Sequence, residues 1–304
     1  MPLGHCVAMT LHDIVVGLDG SDSSVEALRW ASGLADAVAA QVRILSTWHM
    51  PILATVPSIV VALPPPAFMA AHAGEQIDDA CAEAGVTGAP AKIIEGDAGA
   101  FLTAETEIAD LVVVGRSGSG HRGPAKLLAE LVLGSATRYC LHHAQGPVAV
   151  IPAHAKWVDH PTVVVGIDGS PSSIAALRWA IEMLPSGSSI KAVQAVPPYL
   201  EGMLALDSRA MDKIIAATSS ELDETISKAQ AGLDRADISI TTFVVIENAR
   251  HALTRPGLDA DLIVVGSRSR TTALTPLLGS TSDHAVRHAK CPVVVVPPEK
   301  GPTP

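Results

Sequence analysis

The chain has 304 residues, 48% of them apolar but only 3% aromatic, and a formal net charge of −10. An acidic balance without clusters of Lys or Arg argues against DNA or RNA as a partner, and so few aromatics leave little platform for stacking bases. A small phosphorylated ligand is still allowed, because backbone amides bind phosphate without net positive charge.

In chain order, Met1 to His12 lacks a basic region followed by an apolar run, so no secretory signal is expected. Asp13 to Gly17 is a short apolar run ending in Gly, read as a first strand. Ser21 to Ser24 follow as helix caps. The stripe Ala27, Leu28, Ala31, Leu34, Ala35 and Val38 then marks a helix. Val42 to Trp48 is a second strand. Met50 to Ala71 carries no charge, yet Pro51, Pro57, Pro64, Pro65 and Pro66 break any spanning helix, so an apolar loop packed on its own protein is expected rather than a membrane segment. A helix over about Glu75 to Ala84, a strand at Lys92 to Glu95, a short helix over Ala98 to Ile108 and the apolar strand Leu111 to Val114 come next. A helix at Ser135 to His143 and a last strand at Val148 to Pro152 close this part.

The pattern then repeats. Val16-Gly17-Leu18-Asp19-Gly20-Ser21 returns as Val165-Gly166-Ile167-Asp168-Gly169-Ser170, 149 positions on. Asp110-Leu111-Val112-Val113-Val114-Gly115 returns as Asp261-Leu262-Ile263-Val264-Val265-Gly266 at an offset of 151, and Leu133-Gly134-Ser135 as Leu278-Gly279-Ser280 at 145. The chain is therefore two copies of one domain of about 145 residues, 11–153 and 161–298, joined by His154 to Pro161. Second-half strands are expected at Val163 to Gly166, Ile190 to Val196, Ile238 to Ile246, Leu262 to Val265 and Val293 to Val296, with a long, solvated helix over Met203 to Ala231. Five strands alternating with helices in each half imply two tandem α/β domains, each a doubly wound parallel sheet whose crevice lies beyond the strand carboxyl ends.

The four cysteines, Cys6, Cys81, Cys140 and Cys291, form no Cys-x-x-Cys pair, so neither a metal cage nor a disulfide framework is expected, and reduced thiols suit a cytoplasmic protein. His142 and His143 suit a helix C-terminus, and Ser135 and Ser280 lack the surroundings of a nucleophile elbow, so no catalytic residue is assigned.

Two features converge on each crevice. Asp19 and Asp168 end the first strands; such an Asp accepts a bond from a ribose hydroxyl or base amine, or caps the next helix, and taken alone capping explains it more simply. After strand four, Gly115-Arg116-Ser117-Gly118-Ser119-Gly120-His121 leads to Gly134-Ser135 at a helix start, a loop able to aim several amides at phosphate. Its second-half counterpart is Gly266-Ser267-Arg268-Ser269-Arg270, closing on Gly279-Ser280-Thr281.

These motifs, over about Asp13 to Pro297, resemble the universal stress protein family in its tandem two-domain form. The resemblance implies a strand order of 3-2-1-4-5 in each half and the nucleotide motif Gly-x2-Gly-x9-Gly-Ser/Thr. It implies ATP, with Mg2+ where required, held by Gly17, Asp19, Thr47, Gly115, Gly118, Gly134 and Ser135, and again by Gly166, Asp168, Ala195, Gly266, Gly279 and Ser280. Each half departs from the motif: fifteen residues separate Gly118 from Gly134, and Ser269 stands where the motif has glycine, flanked by Arg268 and Arg270 as charge-neutralising residues. The resemblance further implies that the last strands pair as an intrachain pseudo-dimer, and that the whole chain forms a homodimer. Three functions follow as alternatives: an ATP-binding stress-response regulator, a slow ATPase or adenylating enzyme, and a nucleotide-free interaction protein.

Overall fold

The computed structural model describes residues 11–50, 65–117, 133–198, 208–255, 257–267 and 278–298. In the first half, strands β1 (Asp13–Gly17), β2 (Gln41–Trp48), β3 (Ala91–Glu95), β4 (Leu111–Gly115) and β5 (Val148–Ile151) alternate with helices α1 (Asp22–Val38), α2 (Pro66–Ala84), α3 (Ala98–Glu105) and α4 (Ser135–His143). The second half repeats this as β6 (Thr162–Ile167), α5 (Pro171–Met183), β7 (Ser189–Val196), α6 (Ser208–Gln230), β8 (Ser239–Ile246), α7 (Ala249–Ala252), β9 (Leu262–Gly266), α8 (Ser280–His288) and β10 (Val293–Val296).

The ten strands form one sheet in the order β3-β2-β1-β4-β5-β10-β9-β6-β7-β8. Each half thus has the expected order 3-2-1-4-5 with parallel neighbours. The exception lies at the seam, where β5 and β10 run antiparallel with Val148, Ala149 and Val150 opposite Val295, Val294 and Val293. Both strands are buried throughout because helices pack against them, α1 and α4 on β5 and α5 and α8 on β10. Alternate residues feed two core layers that run through both halves. One holds Val16, Leu28, Val113, Ala149, Leu177 and Val294; the other holds Val15, Val112, Val148, Val150, Leu253 and Val293.

A repeated carboxylate explains part of the sequence repeat. Asp110 Oδ2 accepts from the amides of His12 (2.7 Å) and Asp13 (3.0 Å), tying the entry of β1 to that of β4. Asp261 Oδ2 does the same for Thr162 at 2.8 Å. The linker is pinned by Trp157, whose ring meets that of Trp30 edge-on with centroids 5.6 Å apart.

Two expectations on helix length need correction. The helix α2 begins at Pro66, well before Glu75, because a proline at the first helical position loses no intrahelical bond. The helix α3 stops at Glu105 rather than Ile108. The rest of the expected apolar loop, 51–64, and the residues before α6, 199–207, lie outside the described residues. No helix among the described residues is long and apolar enough to cross a membrane.

The seam yields a stability test. Val294 is fully buried opposite Ala149, so Val294→Asp places an unpartnered carboxylate in the core and should cost about 3–5 kcal/mol. Urea unfolding of the full chain measures it, with Val294→Ala as a milder reference.

Candidate functional site

In each half the first and fourth strands are neighbours whose connections leave in opposite directions, which opens a crevice at their carboxyl ends. The first wall is the turn after β1. Gly20 takes φ +72°, a conformation that favours glycine. This lets Asp19 Oδ1 accept from Ser21 N (3.1 Å) and Ser21 Oγ (2.5 Å). Ser21 in turn caps α1 by accepting from Ser24 N at 3.2 Å. The second half builds the same turn: Gly169 has φ +71°, Asp168 Oδ1 accepts from Ser170 N at 3.0 Å, and Ser170 caps α5. Asp19 therefore braces the cap turn and lines the crevice at once.

The second wall is the end of β4 and the start of α4. A Cβ at Gly115 would sit 2.3 Å from Ser23 Oγ and 2.7 Å from the Ser23 carbonyl carbon, so only glycine lets α1 approach β4 this closely. Gly266 meets Ser172 in the same way at 2.6 Å. The helix α4 starts after Gly134, which offers no capping side chain, and Gly134 N donates to Arg116 O at 2.9 Å. Thr137 Oγ1 then ties the first turn of α4 to strand β4 by donating to Gly115 O at 2.8 Å. The counterparts are Gly279 N to Ser267 O (2.8 Å) and Ser282 Oγ to Gly266 O (2.6 Å). In both halves a helix N-terminus with its positive dipole end thus opens on the crevice, with no side-chain cap bond among the described residues.

The first crevice has a volume of about 940 Å3. Of the residues the sequence assigns to it, Gly17, Asp19, Thr47, Gly115, Ser117, Gly134 and Ser135 all line it. Arg116 does not: it is buried, and its guanidinium donates to the Ala289 carbonyl beyond α8, across the seam. Gly118, Ser119, Gly120 and His121 lie outside the described residues. Sequence reasoning missed the outer wall, formed by His49, Met69, His72, Gln76, Asp97 and Arg138. Its signal was readable, since Met69, His72, Ala73 and Gln76 keep the i, i+3, i+4, i+7 spacing of one helix face. That spacing shows only once α2 starts at Pro66.

The second crevice is far smaller, about 100 Å3, and is lined by Gly166, Asp168, Ala195, Gly266, Gly279, Ser280 and Thr281 among others. Ser267 is outside that lining, and Arg268, Ser269 and Arg270 lie outside the described residues. Where α2 widens the first crevice, none of the residues lining the second comes from α6.

Thiol chemistry is not supported in either half. Burial pushes the Cys140 thiol up to about 12 and that of Cys291 up to about 11. Among the described residues, no group of three or more His, Cys, Asp or Glu is placed to hold a metal ion.

The close approach at Gly115 is testable. Gly115→Ala should destabilise the chain by about 1–3 kcal/mol through overpacking against Ser23. Urea unfolding reads the loss, and Gly85→Ala, where a Cβ meets nothing within 4 Å but φ is +74°, serves as the purely conformational control.

Comparison with known proteins adds a lineage to this geometry. The model of the universal stress protein family matches the chain twice, over residues 10–152 and 160–297. A universal stress protein of Mycobacterium tuberculosis is 30% identical to it, covering 93% of this chain and 95% of the relative. One of Mycolicibacterium smegmatis is 28% identical over 95% of this chain and 98% of its own. Among solved structures, a universal stress protein from Archaeoglobus fulgidus shares the fold with a TM-score of 0.58 at 19% identity, covering 94% of this chain and 96% of that one.

Proposed function

The chain belongs to the universal stress protein family, and on that footing we propose that it is a nucleotide-binding regulator that takes ATP in its first crevice. The observation that carries this reading is the contrast in volume. At about 940 Å3 the first crevice falls in the range of small-molecule sites, about 300–1,000 Å3, whereas the second, at about 100 Å3, falls below it.

The residues fit the parts of the ligand. Gly17, Asp19 and Thr47 at the ends of β1 and β2 suit the adenosine moiety, with Asp19 as acceptor for a ribose hydroxyl or the base amine. The open N-terminus of α4 suits the phosphates, with Arg138 on its first turn adding a positive charge to the crevice wall. Mg2+ would arrive with the triphosphate as its counter-ion. The chemistry is recognition rather than turnover: backbone amides and a helix dipole hold an anion without activating a nucleophile. The second half, in this reading, supports the first across the seam instead of binding a nucleotide of its own.

Titration calorimetry with Mg-ATP tests the reading. It should give one nucleotide per chain with a Kd tighter than about 1 mM. Asp19→Ala should weaken binding at least about tenfold, the loss of a charged hydrogen bond, while Asp168→Ala leaves affinity within about twofold. Absence of binding, or equal losses from the two variants, would sink the proposal.

A further inference from the structure

Where α7 meets α8, three imidazoles touch. The rings of His284 and His288 are stacked with centroids 4.2 Å apart and planes 19° from parallel, and His251 of α7 meets His284 edge-on at 5.3 Å. His288 Nδ1 lies 2.9 Å from the His284 carbonyl, so that nitrogen donates and Nε2 is left to take up a proton.

The first half contains the same construction with one change. At the offset of 145, His284 corresponds to Tyr139 and His288 to His143. Tyr139 and His143 stack at 4.2 Å and 23°, and His143 Nδ1 bonds the Tyr139 carbonyl at 2.8 Å. Shape and hydrogen bonding are kept. What differs is that a phenol, neutral across the physiological range, is replaced by an imidazole that titrates within it.

The surroundings of His284 do not welcome a proton. Facing it from α7 are Arg250 and His251, and from its own helix His288 and Asp283. Asp283, the one carboxylate in that set, is held by Arg287, whose Nε lies 2.9 Å and 3.0 Å from its two oxygens. The strands β9 and β10 beneath carry no charged residue. The strand β7, packed under α7, contributes only Lys191, whose ammonium is bound to the Leu258 carbonyl at 2.7 Å. Two protonated rings in a stack this tight repel each other directly.

Both helices also wall the second crevice, α7 through Ala249 and Ala252, and α8 through Ser280, Thr281 and Ser282. We propose that the His251–His284–His288 stack is a pH-responsive latch, which holds α7 against α8 at neutral pH and releases it on acidification, widening the second crevice. The helix α7 is only four residues long, and Ala252 and Leu253 at its end are buried in the core, so the movement is a local shift of its exposed start. Burial first, and then the neighbouring positive groups, hold His284 below the usual imidazole value. The released form therefore binds protons more readily than the latched one, and the latch is intact above the ordinary imidazole value of about 6.5 and lost as pH falls below it. Nothing in this inference requires either crevice to hold a nucleotide.

Methyl and imidazole NMR on the full chain, without nucleotide, tests it between about pH 7.5 and 5. The Ala249 and Ala252 methyls should shift with the midpoint of His284, while the Ala98 methyl of the first crevice stays fixed. In His284→Tyr, which copies the first half, the shift of Ala249 and Ala252 should vanish. Should that variant fail to fold, His251→Leu serves instead: removing one ring should raise the His284 midpoint and move the methyl transition with it. Methyls that stay fixed while the rings titrate, or that shift equally in the tyrosine variant, overturn the latch. So does a methyl transition in His251→Leu that fails to follow His284.

Discussion

The antiparallel pairing of β5 with β10 settles where everything else in the molecule stands. Alone, the last strand of a doubly wound half presents unpaired N–H and C=O groups beside apolar side chains, an edge that invites aggregation. Here each half covers the other's edge, and ten strands share one sheet. Residues opposite each other at the seam alternate between the two faces, so both core layers are built jointly. Each crevice then opens between a first and a fourth strand, separated from the seam by the fourth and fifth strands of its own half. Arg116 adds a polar tie, running from the mouth of the first crevice to the carbonyl beyond α8.

Much of this was legible because the chain states its fold twice. The offsets of 149, 151 and 145 mark the strands and isolate the loops where the halves differ. Asp110 and Asp261 stand in the repeated motif for a reason the structure supplies: each bonds backbone amides at the entry of a first strand. What could not be read were matters of direction and context. A run of prolines says "break", and only the geometry of Pro66 at a helix start turns it into a beginning. Arg116 lies in sequence beside a phosphate-type loop, yet its side chain answers to a carbonyl 173 residues away. Thr137 and Ser282 recur three residues after the closing glycine, a regularity visible in the sequence but meaningless until both hydroxyls are seen bonding the end of the fourth strand.

Duplication has kept the skeleton of the two sites and changed their walls. Cap turns, close-packed glycines and tying hydroxyls recur in both halves, since these positions are fixed by the backbone. Walls are set by side chains and are free to drift. The helix α2 turns a polar face with His72 and Gln76 toward the first crevice. Behind the second, on the helix whose start lines it, an imidazole replaces a phenol within an unchanged stack. Drift of this kind makes one scaffold carry two unlike sites at little cost to the shared core.

Among the helices that begin near the crevices, two repeated pairs begin in different ways. The helices α1 and α5 start on Ser21 and Ser170, whose hydroxyls accept from the first-turn amides. The helices α4 and α8 start on Gly134 and Gly279, which have nothing to offer. Conformation does not require glycine there, since φ is −57° and −61°, values any residue adopts. Serine in their place would cap the helix and stabilise it by a few tenths of a kcal/mol. Its side chain would also stand in the mouth of the crevice and take the bonds that an anion would otherwise receive. The same choice is made in both halves although α1 and α5 are capped with serine, and it accords with the proposed reading, in which these amides are kept open for a ligand. On that reading the choice has its use in the first half, whose crevice is the larger.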